Sequence, residues 1–113
     1  MELKYEEIKE DSADTYESLH TNAKYPLKDT FYAFLNDYES NENYDLTEEA
    51  SLYVAFAALL IEKKQSFDFI RTKLVDLISN KNLEKVTKDL KADELIQFCN
   101  DVDIIKKLIN TEN

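Results

Sequence analysis

Residues 52 to 61 read Leu52-Tyr53-Val54-Ala55-Phe56-Ala57-Ala58-Leu59-Leu60-Ile61, ten apolar side chains without a break. A membrane span needs about 20 such residues, so this run is too short to cross a bilayer and no membrane partner is expected. A helix that is apolar on every side belongs inside a protein, surrounded by other helices. Thr47 is a suitable N-cap for it, and Glu48 and Glu49 fall in its first turn, where the helix dipole favours acids. Glu62-Lys63-Lys64 closes it with cations at the negative end. The expectation is a central helix over residues 48–63, with Ala50, Ala55, Ala57 and Ala58 letting neighbours approach closely.

The flanking segments supply one-sided partners for such a helix. From about Glu2 to His20, Tyr5, Ile8, Ser12, Tyr16 and Leu19 recur at helical spacing. Glu7, Glu10, Asp14 and Glu17 form a second stripe roughly 180° away at 100° per residue. Pro26 suits a first helical position, and Leu27, Phe31, Phe34, Leu35 and Tyr38 follow as one apolar face. Ser40 to Asp45 is a polar loop. Beyond the central run, Ser66 is placed to cap a fourth helix with Phe67, Ile70, Leu74, Leu77 and Ile78 on its buried stripe. Phe69 and Val75 fall off that stripe, and Phe69 is expected to pack against the fifth or sixth helix. Asn80 and Asn82 suggest a break, and Leu83, Val86 and Leu90 mark a short fifth helix. Leu95, Phe98, Val102, Ile105 and Ile109 form the last stripe, on one helix or on two broken near Asp101. The chain therefore reads as all-α: one domain over residues 1–113, an irregular or orthogonal bundle of five to six helices around residues 48–63.

Composition supports this class. Of 113 residues, 43% are apolar, enough for one modest core. Glycine is absent and proline occurs once, where average usage predicts about eight glycines. Phosphate-cradling loops, dinucleotide turns, nucleophile elbows and EF-hand loops all use glycine where backbone must come close or adopt positive φ. None can be built in its usual form, and tight hairpins lose their best turn residues. The start of the chain is acidic and lacks the apolar core of a secretory signal. The single cysteine, Cys99, cannot form an internal disulfide, which fits a reducing compartment. Cytoplasmic residence is the expectation.

Charge is distributed unevenly. Residues 1–50 hold fourteen acids and four bases, net −10, and residues 51–113 hold ten of each. Six of the seven tyrosines also lie in the first half; only Tyr53 lies beyond. Tyrosine offers large contact area at low entropic cost and is enriched in binding hot spots. An acidic field steers basic partners. The competing reading is that acidic helix faces are simply solvated and that tyrosines at core spacing simply pack. Tyr5, Tyr16 and Tyr38 fit that description, whereas Tyr32 and Tyr44 do not. The candidate partner-binding residues are Glu7, Glu10, Asp14, Glu17, Tyr32, Asp37, Glu39, Glu42, Tyr44 and Asp45.

No catalytic, metal or cofactor set stands out. Carboxylate pairs are so numerous that they arise by chance, and none sits in an apolar context that would separate two pKa values. Asp101-Val102-Asp103 matches the first positions of a calcium loop, but the later ligands and the glycine are missing, so helix capping is the better reading. His20, the lone histidine, falls at the end of the first helix, where a cationic imidazole suits the dipole. Cys99 lies beside Phe98 and reads as a buried, inert thiol. Lys81, Lys85 and Lys88, with Lys91 nearby, make too small a basic footprint for direct nucleic-acid binding against a net charge of −10. These exclusions favour a non-enzymatic inhibitor of the immunity or antitoxin type, neutralising a basic protein such as a nuclease toxin. The Lys/Asn/Ile-rich composition fits an A·T-rich bacterial or phage genome. The alternatives are a phage-type nucleic-acid mimic that inhibits a DNA-binding host enzyme, and an acidic adaptor with no dedicated site. Nothing in the pattern sets the oligomeric state.

Overall fold

The computed structural model describes residues 5–21, 27–40, 45–88 and 90–111, with side chains placed at all of these except 6, 15–21, 27–30, 92 and 111. Pro26, Glu42 and Tyr44 lie outside the described residues, as do the side chains of Tyr16, Glu17, Leu19 and His20. Among the described residues there are six α-helices and no strand: α1 Tyr5–Thr21, α2 Leu27–Glu39, α3 Leu46–Glu62, α4 Arg71–Leu77, α5 Asn80–Lys88 and α6 Ala92–Thr111. One 3-10 turn, Asp68–Ile70, leads into α4. The chain is an all-α bundle, and no helix among the described residues is long and apolar enough to cross a membrane.

The apolar run forms the middle of α3. From Ala50 to Ala57 every residue is buried, and so are Leu59 and Leu60. Helices α1, α4, α5 and α6 all pack on it. Helix α2 reaches it through Phe31, whose ring lies 5.1 Å from Tyr53 and 4.9 Å from Phe56. Each large apolar side chain so enclosed contributes about 1.5–3 kcal/mol relative to leaving it in water. The partner stripes match their helical phase. Tyr5, Ile8 and Ser12 of α1, Phe31, Phe34, Leu35 and Tyr38 of α2, and Phe98, Val102 and Ile105 of α6 are all buried. Ser12 is fully enclosed and donates from Oγ to the Ile8 carbonyl at 2.8 Å, so its hydroxyl is satisfied within its own helix.

The helix ends depart from expectation in instructive ways. Asp45, rather than Thr47, caps α3, its Oδ1 accepting the Glu48 N–H at 2.9 Å. Both residues are competent caps, and the helix starts two residues earlier than expected, at Leu46. At the other end, the Gln65 N–H donates to the Leu60 carbonyl at 2.8 Å and the Lys64 N–H to the Ile61 carbonyl at 3.1 Å. This is a Schellman closure, which calls for a left-handed residue usually supplied by glycine. With no glycine in the chain, Lys64 takes that conformation at φ 59°. Ser66 does accept a backbone N–H, from Asp68 at 3.2 Å, but it serves the 3-10 turn and α4 itself begins only at Arg71.

Helix α6 runs unbroken through Asp101. Asp101 is thus not a helix cap, and Asp101-Val102-Asp103 is helical rather than a loop. Asp101 is a buried mid-helix carboxylate, held by partners on α1 that no local pattern could reveal. Cys99 is exposed rather than buried, because one step of 100° carries it off the stripe that buries Phe98. Phe69 is half-buried, with its ring 6.0 Å from Phe31 of α2, while Val75 faces solvent. The break before α5 falls at Ile78 and Ser79. Asn82 stitches it by donating from Nδ2 to the Asp76 carbonyl at 2.8 Å.

Candidate functional site

The N-terminal acids separate into a solvent-facing set and a set engaged by the fold. Glu7, Glu10 and Asp14 are exposed on the side of α1 away from its buried stripe. Glu17 belongs to the same stripe in phase, though its side chain is outside the described residues. Asp11 lies beside them but is engaged: the Tyr38 hydroxyl donates to its Oδ2 at 2.7 Å, fastening α2 to α1. Burial raises the Tyr38 phenol well above its ordinary range. The Asp11 hydrogen bond raises it further, followed by the charges of Asp11, Glu48 and Glu7. The phenol is thus a fixed donor, and these carboxylates converge on it from α1 and α3.

A second cluster lies further along α2. Tyr53 of α3 is pushed up to about 12 by burial, with Tyr32, Glu49 and Glu39 contributing. Glu49 also meets Lys73 of α4 at 3.2 Å. Tyr32 stands on the surface at 39% exposure, its ring edge-on to Phe31 at 5.5 Å. Asp37 and Glu39 are exposed on either side of Tyr38, and Asp45 is exposed even as one of its oxygens caps α3. The Asp11–Tyr38 contact therefore joins the α1 stripe to the C-terminal turn of α2. Glu7, Glu10 and Asp14 are exposed on α1, and Asp37 and Glu39 are exposed on α2 on either side of that contact, with Tyr32 on the same helix as the last two. Glu42 and Tyr44 lie outside the described residues.

Two buried acids were not anticipated by helical phase, Glu48 and Asp101. Asp101 accepts the Tyr5 hydroxyl at 2.7 Å and the Lys9 ammonium at 2.9 Å on the same oxygen. Burial, then the Asp101 charge and the hydrogen bond to it, lift the Tyr5 phenol far above its usual range. The Tyr5 ring also meets Phe98 edge-on at 5.4 Å. The one sequence signal for this arrangement was Lys9, a base within a strongly acidic stretch.

Beside that link, α1, α3 and α6 enclose a half-open groove of about 540 Å³. Ala55, Ala58 and Leu59 of α3 form its floor, and Ala13 of α1 and Ile104 of α6 its walls. Glu10, Glu62 and Gln97 stand at its rim. Ile104 is visible in the sequence as an apolar residue off the α6 stripe, and it is 47% exposed. Among the described residues no three His, Cys, Asp or Glu side chains are grouped to hold a metal ion. No protein family, curated protein or solved structure matches this chain.

Proposed function

We propose that this protein acts without catalysis, as an inhibitor of the immunity or antitoxin type that binds and neutralises a basic protein such as a nuclease toxin. The observation that carries the reading is the exposed row Glu7, Glu10 and Asp14 on the outer side of α1, within a half of net charge −10. The Asp11–Tyr38 bond holds α2, with its exposed Asp37 and Glu39, against α1. Carboxylates on rigid helices make a fixed negative field, which speeds encounter with a basic partner and disfavours acidic ones. Tyr32, an exposed aromatic on α2, offers contact area of the kind that anchors interfaces.

The test is affinity purification of the native protein at low salt, with identification of what co-elutes. A basic toxin domain is expected, with association slowing roughly tenfold or more between low and high salt. Charge reversal of Glu7, Glu10, Asp14 and Glu17 should abolish most of that dependence. A salt-independent on-rate, or undiminished binding by the reversed variant, counts against the reading. Displacement of DNA from a host enzyme by the pure protein would favour nucleic-acid mimicry instead.

A further inference from the structure

The groove between α1, α3 and α6 is apolar in its depth and acidic at its rim. Three alanines, Ala13, Ala55 and Ala58, keep it open; a larger side chain at Ala58 would fill it. Ile104 adds an apolar wall that is nearly half exposed, although the stripe of its own helix is buried. Exposed apolar area costs roughly 25 cal/mol per Å² relative to burial, so a partner covering this wall would gain from doing so.

The charges around the groove select the partner. Lys9, the cation of the lining, is held at 2.9 Å by Asp101, and the two cancel. Glu10 on α1 and Glu62 on α3 are exposed at the rim and meet no cation among the described residues. Asp14 is exposed one turn beyond Glu10. The α3 side of the groove, from Ala55 to Glu62, extends about 10 Å at the helical rise, near two turns of a docked helix. A trough between helices receives an amphipathic helix through residues spaced i, i+4 and i+7.

We propose that this groove seats the apolar face of a basic amphipathic helix of the partner. Its aliphatic side chains would lie over Ala58 against Ile104, and its flanking lysines or arginines would meet Glu10 and Glu62. The proposal rests on the basic-partner reading above and specifies the secondary structure by which that partner is held.

The experiment is a titration of isotope-labelled protein, followed by amide NMR shifts, with a synthetic helix of leucine and lysine about four turns long. A counterpart with glutamate in place of lysine serves as the control. Shifts are expected to concentrate at Ala13, Ala58, Gln97 and Ile104 with the lysine helix and to be absent with the glutamate helix. Ile104→Ser and Ala58→Leu, both at partly or largely exposed positions and each checked for an intact fold by circular dichroism, should each weaken binding roughly tenfold. The double variant Glu10→Lys/Glu62→Lys should do the same. Asp37→Lys/Glu39→Lys, on the acidic surface but away from the groove, should leave binding within about twofold. Absence of binding by the lysine helix overturns the proposal. So do shifts spread over Glu7, Asp37 and Glu39 with no effect of Ile104→Ser or Ala58→Leu; in that case charge alone attracts the helix and the basic-partner reading survives. If the native protein captures no basic partner yet the lysine helix seats in the groove, the reading of function falls and the groove keeps its selectivity.

Discussion

Asp101 joins two helices through one oxygen atom. Tyr5 and Lys9 both reach it from α1, at 2.7 and 2.9 Å. Tyr5 is enclosed and its hydroxyl has this one acceptor to satisfy it, whereas Lys9 is more than a third exposed and solvent screens its charge. The two partners should therefore differ in weight. Tyr5→Phe is expected to cost about 1.5–3 kcal/mol, as for a hydrogen bond to a charged group, and Lys9→Met less than about 1 kcal/mol. Asp101→Ala, which strands the phenol, should cost about 2–4 kcal/mol. Urea unfolding of the three variants checks the order. Tyrosine titration gives a second residue-scale expectation. Tyr5, Tyr38 and Tyr53 stay protonated in the folded protein above the ordinary phenol value of about 10. Above that pH the unfolded chain has released protons that the folded state keeps, so stability falls as pH rises. The full contribution is present below pH of about 10 and is lost through about 12 for Tyr53 and higher still for the other two. Urea midpoints taken from neutral pH to about pH 11 should fall above 10, and fall less in Tyr38→Phe.

At the scale of the element, the ends of α3 show how a chain without glycine closes a helix. Lys64 holds φ at 59° in the Schellman turn, a conformation that costs a residue with a Cβ about 1–2 kcal/mol. Lys64→Gly removes that cost but adds backbone entropy to the unfolded chain. The net expectation is stabilisation by about 0.5–1 kcal/mol, read as a raised melting temperature. At the other end Asp45→Ala should cost about 1 kcal/mol and Thr47→Ala much less, since Asp45 holds the Glu48 N–H. Helical phase had made the buried stripes of α1, α2 and α6 legible, because a period of 3.6 residues depends only on local geometry. Caps were less legible: Asp45 and Thr47 are chemically equivalent candidates two residues apart, and the choice follows from where α3 docks.

For the molecule as a whole, the bundle buries α3 and leaves its acids in two settings. Glu7, Glu10, Asp14, Asp37 and Glu39 face solvent, while Asp11 and Asp101 receive tyrosine hydroxyls. A surface with this charge excess should be stabilised by salt even without a partner, because screening relieves self-repulsion. Raising ionic strength at neutral pH is expected to raise the melting temperature by a few degrees, about 1 kcal/mol for a domain of this size. Reversing Glu7, Glu10 and Asp14 to lysine should shrink that increase. Of the candidate site, the charge imbalance and the exposure of Tyr32 were legible from residue counts and helical phase. The groove was not, since it exists only where α1 and α6 stand apart over the alanines of α3.

The sequence by itself determined the helical class, the central place of residues 52–61 and the outward direction of Glu7, Glu10 and Asp14, all of which follow from local spacing and side-chain type. The tertiary structure alone decided that Asp101 is buried 96 residues along the chain from the tyrosine it serves. It also decided that Phe69 packs on α2 and that Ile104 lines an open groove. These depend on how helices distant in sequence are set against one another, and that arrangement is fixed by the packing of whole faces, which no local period encodes.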